Sequence, residues 1–142
     1  MGDLKLTYQV DGGDLVQAGE ASSQMKMTLK KLGLPPEIIR KASVCMYEGE
    51  INMVIHADGG RVEEEVGMDA ITIRLIDQGP GIPDVDRAME EGYSTAGDVA
   101  RDLGFGAGMG LPNMKRYSDE MRIDTTVGVG TTVTMRIDIN NG

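Results

Sequence analysis

The chain has 142 residues, 40% of them hydrophobic and 26% charged, with a net charge of -9 at pH 7. That is one domain of ordinary globular composition, and so acidic a chain lacks the surplus of Lys and Arg that a nucleic-acid backbone binder uses. No apolar run approaches the roughly 20 residues needed to cross a bilayer, the acidic start Met1-Gly2-Asp3 has no basic n-region, and one cysteine, Cys45, excludes an internal disulfide and suits a reducing cytoplasm.

Leu4, Leu6, Tyr8 and Val10 alternate and predict a first strand. A turn follows at Asp11-Gly12-Gly13-Asp14, with Asp14 expected to cap a helix over 15–32. Lys30-Lys31 and Gly33 suit its end. Pro35-Pro36 opens a second helix over about 37–57. Strands are expected at 61–66 and 70–76, the first with a solvated acidic face (Glu63, Glu65). A short helix is expected at 84–91, then an aperiodic mobile loop rich in Gly, Ser and Thr, a helix over about 108–120, and a hairpin of strands 121–127 and 131–139 around Gly128-Val129-Gly130. Strands that come in pairs with short links exclude a doubly wound parallel sheet. They predict a two-layer α/β sandwich in one domain over 1–142, with a mixed, mainly antiparallel sheet and helices on one face.

Three stretches carry chemistry. On the second helix Glu48, Asn52 and His56 share one face. They form either a solvated polar stripe or a site in which Asn52 offers its amide oxygen to a metal and Glu48 polarises an attacking water or hydroxyl. Glu50 lies on another face and is expected to be exposed. His56, the sole histidine, and Cys45 are expected to be structural. The second stretch is the apolar strand ending at Asp77, followed by Gly79-Pro80-Gly81. Asp77 is either a turn former or the acceptor for a base amino group, with the glycines allowing close backbone approach. The third is the alternate series Gly104, Gly106, Gly108, Gly110 leading into a helix. It matches neither the P-loop nor the dinucleotide fingerprint, but can bare successive N–H groups to phosphates.

Together these blocks resemble the GHKL (Bergerat-fold) ATP-binding family. Glu48-x-x-x-Asn52 with His56-Ala57 resembles its N box. Asp77 to Ile82 is similar to its adenine box, Gly106 to Leu111 to its second glycine box, and Gly130-Thr131-Thr132 to its terminal Gly-Thr. Within the family the likeness is to stand-alone serine/threonine kinases and anti-sigma factors of bacterial partner-switching systems. The resemblance implies ATP and Mg²⁺, with Glu48 as catalytic base and Asn52 on the metal. It implies Asp77 on adenine with Gly79, Gly81 and Ile82 around it, and Thr131 nearby. Gly106, Gly108, Met109, Gly110 and Leu111 would line the phosphate side, and residues 92–107 would form the ATP lid, longer here than in switch kinases. The implied partner is a small anti-sigma-antagonist-like protein, with a sigma factor or a phosphatase as further partners. No nucleic acid and no membrane are expected.

Three readings follow: a kinase, an ATP-gated binding module with little chemistry, or a plain α/β domain with chance glycines. The first strand and helix, with Leu15, Val16, Met25 and Met27, either form a homodimer face or pack on the sheet.

Overall fold

A computed structural model describes residues 4–11, 19–56, 59–82, 85, 89 and 110–139. The elements are β1 (Leu4–Asp11), α1 (Glu20–Lys31), α2 (Pro36–His56), β2 (Gly59–Val66), β3 (Ala70–Asp77), α3 (Gly110–Tyr117), β4 (Glu120–Thr126) and β5 (Gly130–Asp138). The five strands form one sheet in the order β1-β2-β3-β5-β4. Every pairing is antiparallel.

Strand alternation decides which face is buried. Tyr8, Val62, Leu75, Val133 and Ile123 lie in one row across the sheet, and Ile71 and Ile137 are partners in another. These point towards the helices and form the core with Met25 and Leu29 of α1, Ile39, Ala42, Cys45, Met46 and Met53 of α2, and Met114 of α3. The opposite face carries Lys5, Thr7, Arg61, Arg74, Arg122 and Arg136 and is open to water. The solvated side expected of β2 is therefore a property of the whole sheet. Among the described residues no helix is long and apolar enough to cross a membrane.

Two boundaries differ from the sequence reading. Helix α1 begins at Glu20 rather than near residue 15, with Gly19 in a left-handed conformation (φ 99°) at its N-cap. The expected Asp14 cap and the residues Leu15 and Val16 lie outside the described residues. Helix α3 stops at Tyr117, short of residue 120. The Asp119 N–H already bonds the Arg136 carbonyl at 2.8 Å, so the chain has been handed to the sheet. Ser and Asp favour such exits because their short polar side chains compete with helical bonds. Of the pair weighed as a dimer face, Met25 is fully buried and packs in the core, while Met27 is exposed. The expected helix at 84–91 lies largely outside the described residues, apart from an N–H···O bond of 3.0 Å from Met89 to Val85. The loop at 92–107 lies outside them entirely.

Helix α2 packs on the sheet, on α1 and on α3. It lies against β3 at Gly49, where a Cβ would overlap the Leu75 side chain. A glycine here lets the turn that holds Glu48 and Asn52 lie directly on β3, two residues before that strand ends at Asp77.

Candidate functional site

Asp77 ends β3 on the row that continues to Thr131 of β5 and Thr125 of β4. Its Oδ1 accepts the Gly79 N–H at 2.9 Å and the Thr131 N–H at 3.2 Å. The first bond closes the turn after the strand, as Asp does two residues ahead of its own backbone. The second ties that turn to β5. Thr131 is buried, and its hydroxyl lies 2.9 Å from the Thr125 hydroxyl. Thr125 Oγ1 in turn accepts the Ile82 N–H at 2.9 Å. A carboxylate and two hydroxyls thus close the ends of three strands.

Gly130 makes this closure possible. Its φ is 152°, and a Cβ would run into the Asp77 carbonyl and the Gln78 backbone. Across the site, the loop that carries Gly81 is held to the β4–β5 turn, where the Gly128 N–H donates to the Pro80 carbonyl at 2.8 Å. The loop from Gly79 to Ile82 is thus tied to Asp77 at one end and to β4 at the other.

Glu48 and Asn52 are half-buried on α2, one turn apart. Burial pushes the Glu48 carboxyl above its ordinary value, and a hydrogen bond from Asn113 draws it back. That bond runs from Asn113 Nδ2 to Glu48 Oε1 at 3.4 Å and joins α2 to α3. Asn113 carried no role in the sequence reading. It stands three residues beyond Gly110, but nothing in the linear pattern says which face of α3 meets α2.

Helix α3 starts at Gly110, has no acid in its first turn and has Lys115 and Arg116 in its last. Its dipole is complemented at the C-terminus, and a first turn without an acid favours an anion at the N-terminus. Leu111 is half-buried and packs against the core. Gly106, Gly108 and Met109 lie outside the described residues, as does the side chain of His56.

Glu50 departs from expectation. It is buried, not exposed. Its Oε2 accepts the Ala21 N–H at 3.1 Å, and its Oε1 accepts the Ser22 N–H at 3.0 Å and the Ser22 hydroxyl at 2.7 Å. It belongs to the joint between α1 and α2. Cys45 is buried as expected. Burial and the nearby acid Asp119 push its thiol up to about 12, which makes it inert at neutral pH.

No cluster of three or more His, Cys, Asp or Glu that could hold a metal occurs among the described residues. Asn52, half-buried on α2 one turn from Glu48, carries a neutral amide oxygen. That donor set fits Mg²⁺, which keeps most of its waters or takes phosphate oxygens in place of a protein cage.

Comparison with known proteins places the chain in a family. The family model described as histidine kinase-, DNA gyrase B-, and HSP90-like ATPase matches residues 37–141. Serine/threonine-protein kinase RsbT of Bacillus subtilis (strain 168) is 34% identical over 108 residues, which cover 73% of this chain and 75% of that protein. An anti-sigma F factor of Clostridium beijerinckii is 31% identical over 129 residues, covering 85% of this chain and 87% of that protein. An anti-sigma F factor of Caldanaerobacter subterraneus is 33% identical over 108 residues, covering 70% and 69%. The matched span runs from α2 to the end of β5 and so takes in Glu48, Asn52, Asp77 and Thr131. The chain belongs to the histidine kinase-, DNA gyrase B- and HSP90-like ATPase family.

Proposed function

We propose that the protein is an ATP-binding regulatory serine/threonine kinase, which phosphorylates a small protein partner in a partner-switching pathway of the cytoplasm. The observation that carries this reading is the seating of the Glu48–Asn52 turn on β3 through Gly49, beside the strand end where Asp77 is held by Gly79 and Thr131. One carboxylate is fixed by backbone bonds at the end of the central strand, while the other is half-buried on a helix with its proton affinity raised. These are different tasks.

In this reading Asp77 accepts from the adenine amino group, with Thr131 beside it and Gly79, Gly81 and Ile82 shaping the wall. Gly110 and the glycines before it, Gly106 and Gly108, meet the phosphates with Met109 and Leu111. Asn52 holds Mg²⁺, which offsets phosphate charge in a protein of net charge -9. ATP supplies the transferable phosphoryl group. Glu48 takes the proton of the target Ser or Thr hydroxyl as that oxygen bonds phosphorus and ADP leaves. Positioning and charge stabilisation carry most of such a reaction, so one base and one metal suffice. The partner is an anti-sigma-antagonist-like protein, and residues 92–107 act as the lid. The anti-sigma F factors among the relatives support a second surface that binds a sigma factor.

Two substitutions test the assignment. Asp77→Asn is expected to weaken ATP binding by about 1.5–3 kcal/mol, on the order of ten- to a hundred-fold in Kd, read by calorimetry. Full affinity in that variant would sink the adenine contact. Glu48→Gln is expected to bind ATP as the wild type does but to label a partner from radioactive ATP roughly 100-fold more slowly. Equal labelling rates would remove Glu48 from the chemistry. Slow labelling in both proteins, with partner binding that depends on ATP, would favour the gated binding module.

A further inference from the structure

Asn113 hydrogen-bonds the proposed base, and it comes from a different helix. Its amide Nδ2 donates to Glu48 Oε1 at 3.4 Å across the contact between α2 and α3. Both residues are half-buried, so the bond is shielded from full competition with water. The neighbouring packing is firm. Met114, the next residue on α3, is buried in the core, and the Cys45 thiol of α2 lies 3.7 Å from its carbonyl oxygen. The two helices are therefore locked together one residue from Asn113 on α3 and three residues from Glu48 on α2. At 3.4 Å the bond is longer than the usual N–H···O range of about 2.7–3.2 Å. Hydrogen bonds within catalytic constellations are commonly long before substrate binds, and tighten in the reacting complex.

We propose that Asn113 is a positioning residue for Glu48: its amide holds Oε1, so that Oε2 is the oxygen presented to the incoming hydroxyl. This rests on the kinase reading above. A carboxylate on a free side chain rotates about three bonds and presents either oxygen. A single donor fixed to a second helix removes much of that freedom, and orientation of this kind is a large part of catalysis. A neutral amide suits the task better than Lys or Arg. It donates without placing a full positive charge beside the carboxylate, which would weaken it as a base. The hydrogen bond also counteracts the effect of burial on Glu48, in the sense that keeps a base ionised. The position of Asn113 adds a consequence. It lies in the first turn of α3, three residues beyond Gly110, where the glycine series ends. A shift of α3 towards bound phosphate would move the donor that orients the base, and so link phosphate capture to alignment of Glu48.

The test uses the full chain, with Asn113→Leu for shape without a donor and Asn113→Ala as a smaller second variant. Both are expected to keep the wild-type affinity for Mg-ATP and to lose about ten-fold in the rate of transfer to the partner protein. The loss should vanish in the Glu48→Gln background, because a residue that acts through Glu48 has nothing to orient once the base is gone. An equal ten-fold loss in both backgrounds would overturn the proposal. A second readout needs no turnover. In the ¹H–¹⁵N spectrum the side-chain amide pair of Asn113 is expected to shift on Glu48→Gln. An Asn113 amide that does not move overturns the contact, whatever the rates. If the wild type transfers no phosphate while the amide still shifts, the kinase reading fails and the orienting contact stands. The two failures are thus told apart.

Discussion

Replacing Glu64 by Gln is expected to stabilise the protein by roughly 3 kcal/mol at pH 8 and to change little below pH 4.5. Glu64 is on β2, in the row Leu6, Glu64, Ile73, Met135, Met121 across the inner face of the sheet. Every other member of that row is apolar. Glu64 is 2% exposed, and neither carboxylate oxygen has a hydrogen-bond partner among the described residues. Burial alone pushes its carboxyl from an ordinary 4.5 to about 7. Tyr8, on the neighbouring strand, feels the same site. Its hydroxyl is buried, and its proton is held more tightly, first by burial and then by the Glu64 charge, with the Thr28 side chain acting the other way.

The direction follows from proton counting. The folded pKa is raised, so between pH 4.5 and about 7 the folded chain binds more protons than the unfolded one. Stability from this group is fully present below 4.5 and is lost as pH rises through 7. Gln has the same shape and no ionisation, so it escapes the loss. Urea unfolding of both proteins from pH 5 to pH 8 reads the difference. The gap between them should open across that window and stay constant above it. Curves that run parallel would show that Glu64 is not the titrating group.

Glu64, Glu50 and Asn113 share a reason for being hard to see in the sequence. Alternation along β2 is masked by three consecutive acids, Glu63, Glu64 and Glu65, and only the register with Leu6 and Ile73 shows which one points inward. Glu50 lies on a face away from Glu48 and Asn52, but such a face is solvated only when a helix has one covered side. Helix α2 is covered by the sheet, by α1 and by α3, so it has several buried faces and little amphipathic contrast. Asn113 meets Glu48 across 65 residues of chain, and the Asp77–Thr131 bond spans 54. Long-range pairings of this kind leave no local periodicity. What was legible is what local rules govern: the alternation of β1, β3 and β5, the proline start of α2, the strand end at Asp77 and the hairpin of β4 and β5. The order of the motif blocks then supplied the family, which packing rules alone do not.

Glu50→Ala is expected to cost about 3–5 kcal/mol, the range seen when one partner of a buried, hydrogen-bonded charge is removed. The first-turn N–H groups of a helix have no partners within the helix. Gly19, at the N-cap of α1, has no side chain to cap them. Glu50 does so from α2, accepting the Ala21 and Ser22 N–H groups and the Ser22 hydroxyl. Its negative charge also faces the positive end of the α1 dipole. Truncation to Ala would leave two buried N–H groups and a buried hydroxyl unpaired. Glu50→Gln keeps one acceptor and loses the charge, so its cost should fall between those of Glu50→Ala and Ser22→Ala. The Ser22→Ala variant loses a single charge-assisted bond, about 1.5–3 kcal/mol at most. Urea unfolding ranks the three variants, and amide exchange at Ser22 and Ser23 should quicken ahead of the sheet if α1 loosens first. A Glu50→Ala protein within about 0.5 kcal/mol of the wild type, the range of ordinary surface substitutions, would show that α1 is held by its apolar face alone. Glu50 shares its turn with Glu48 and Asn52, so a joint that fails there would also release the segment on which the base and the metal ligand are proposed to sit. Loss of ATP binding in Glu50→Ala, without any contact between Glu50 and nucleotide, is the expected sign of that coupling.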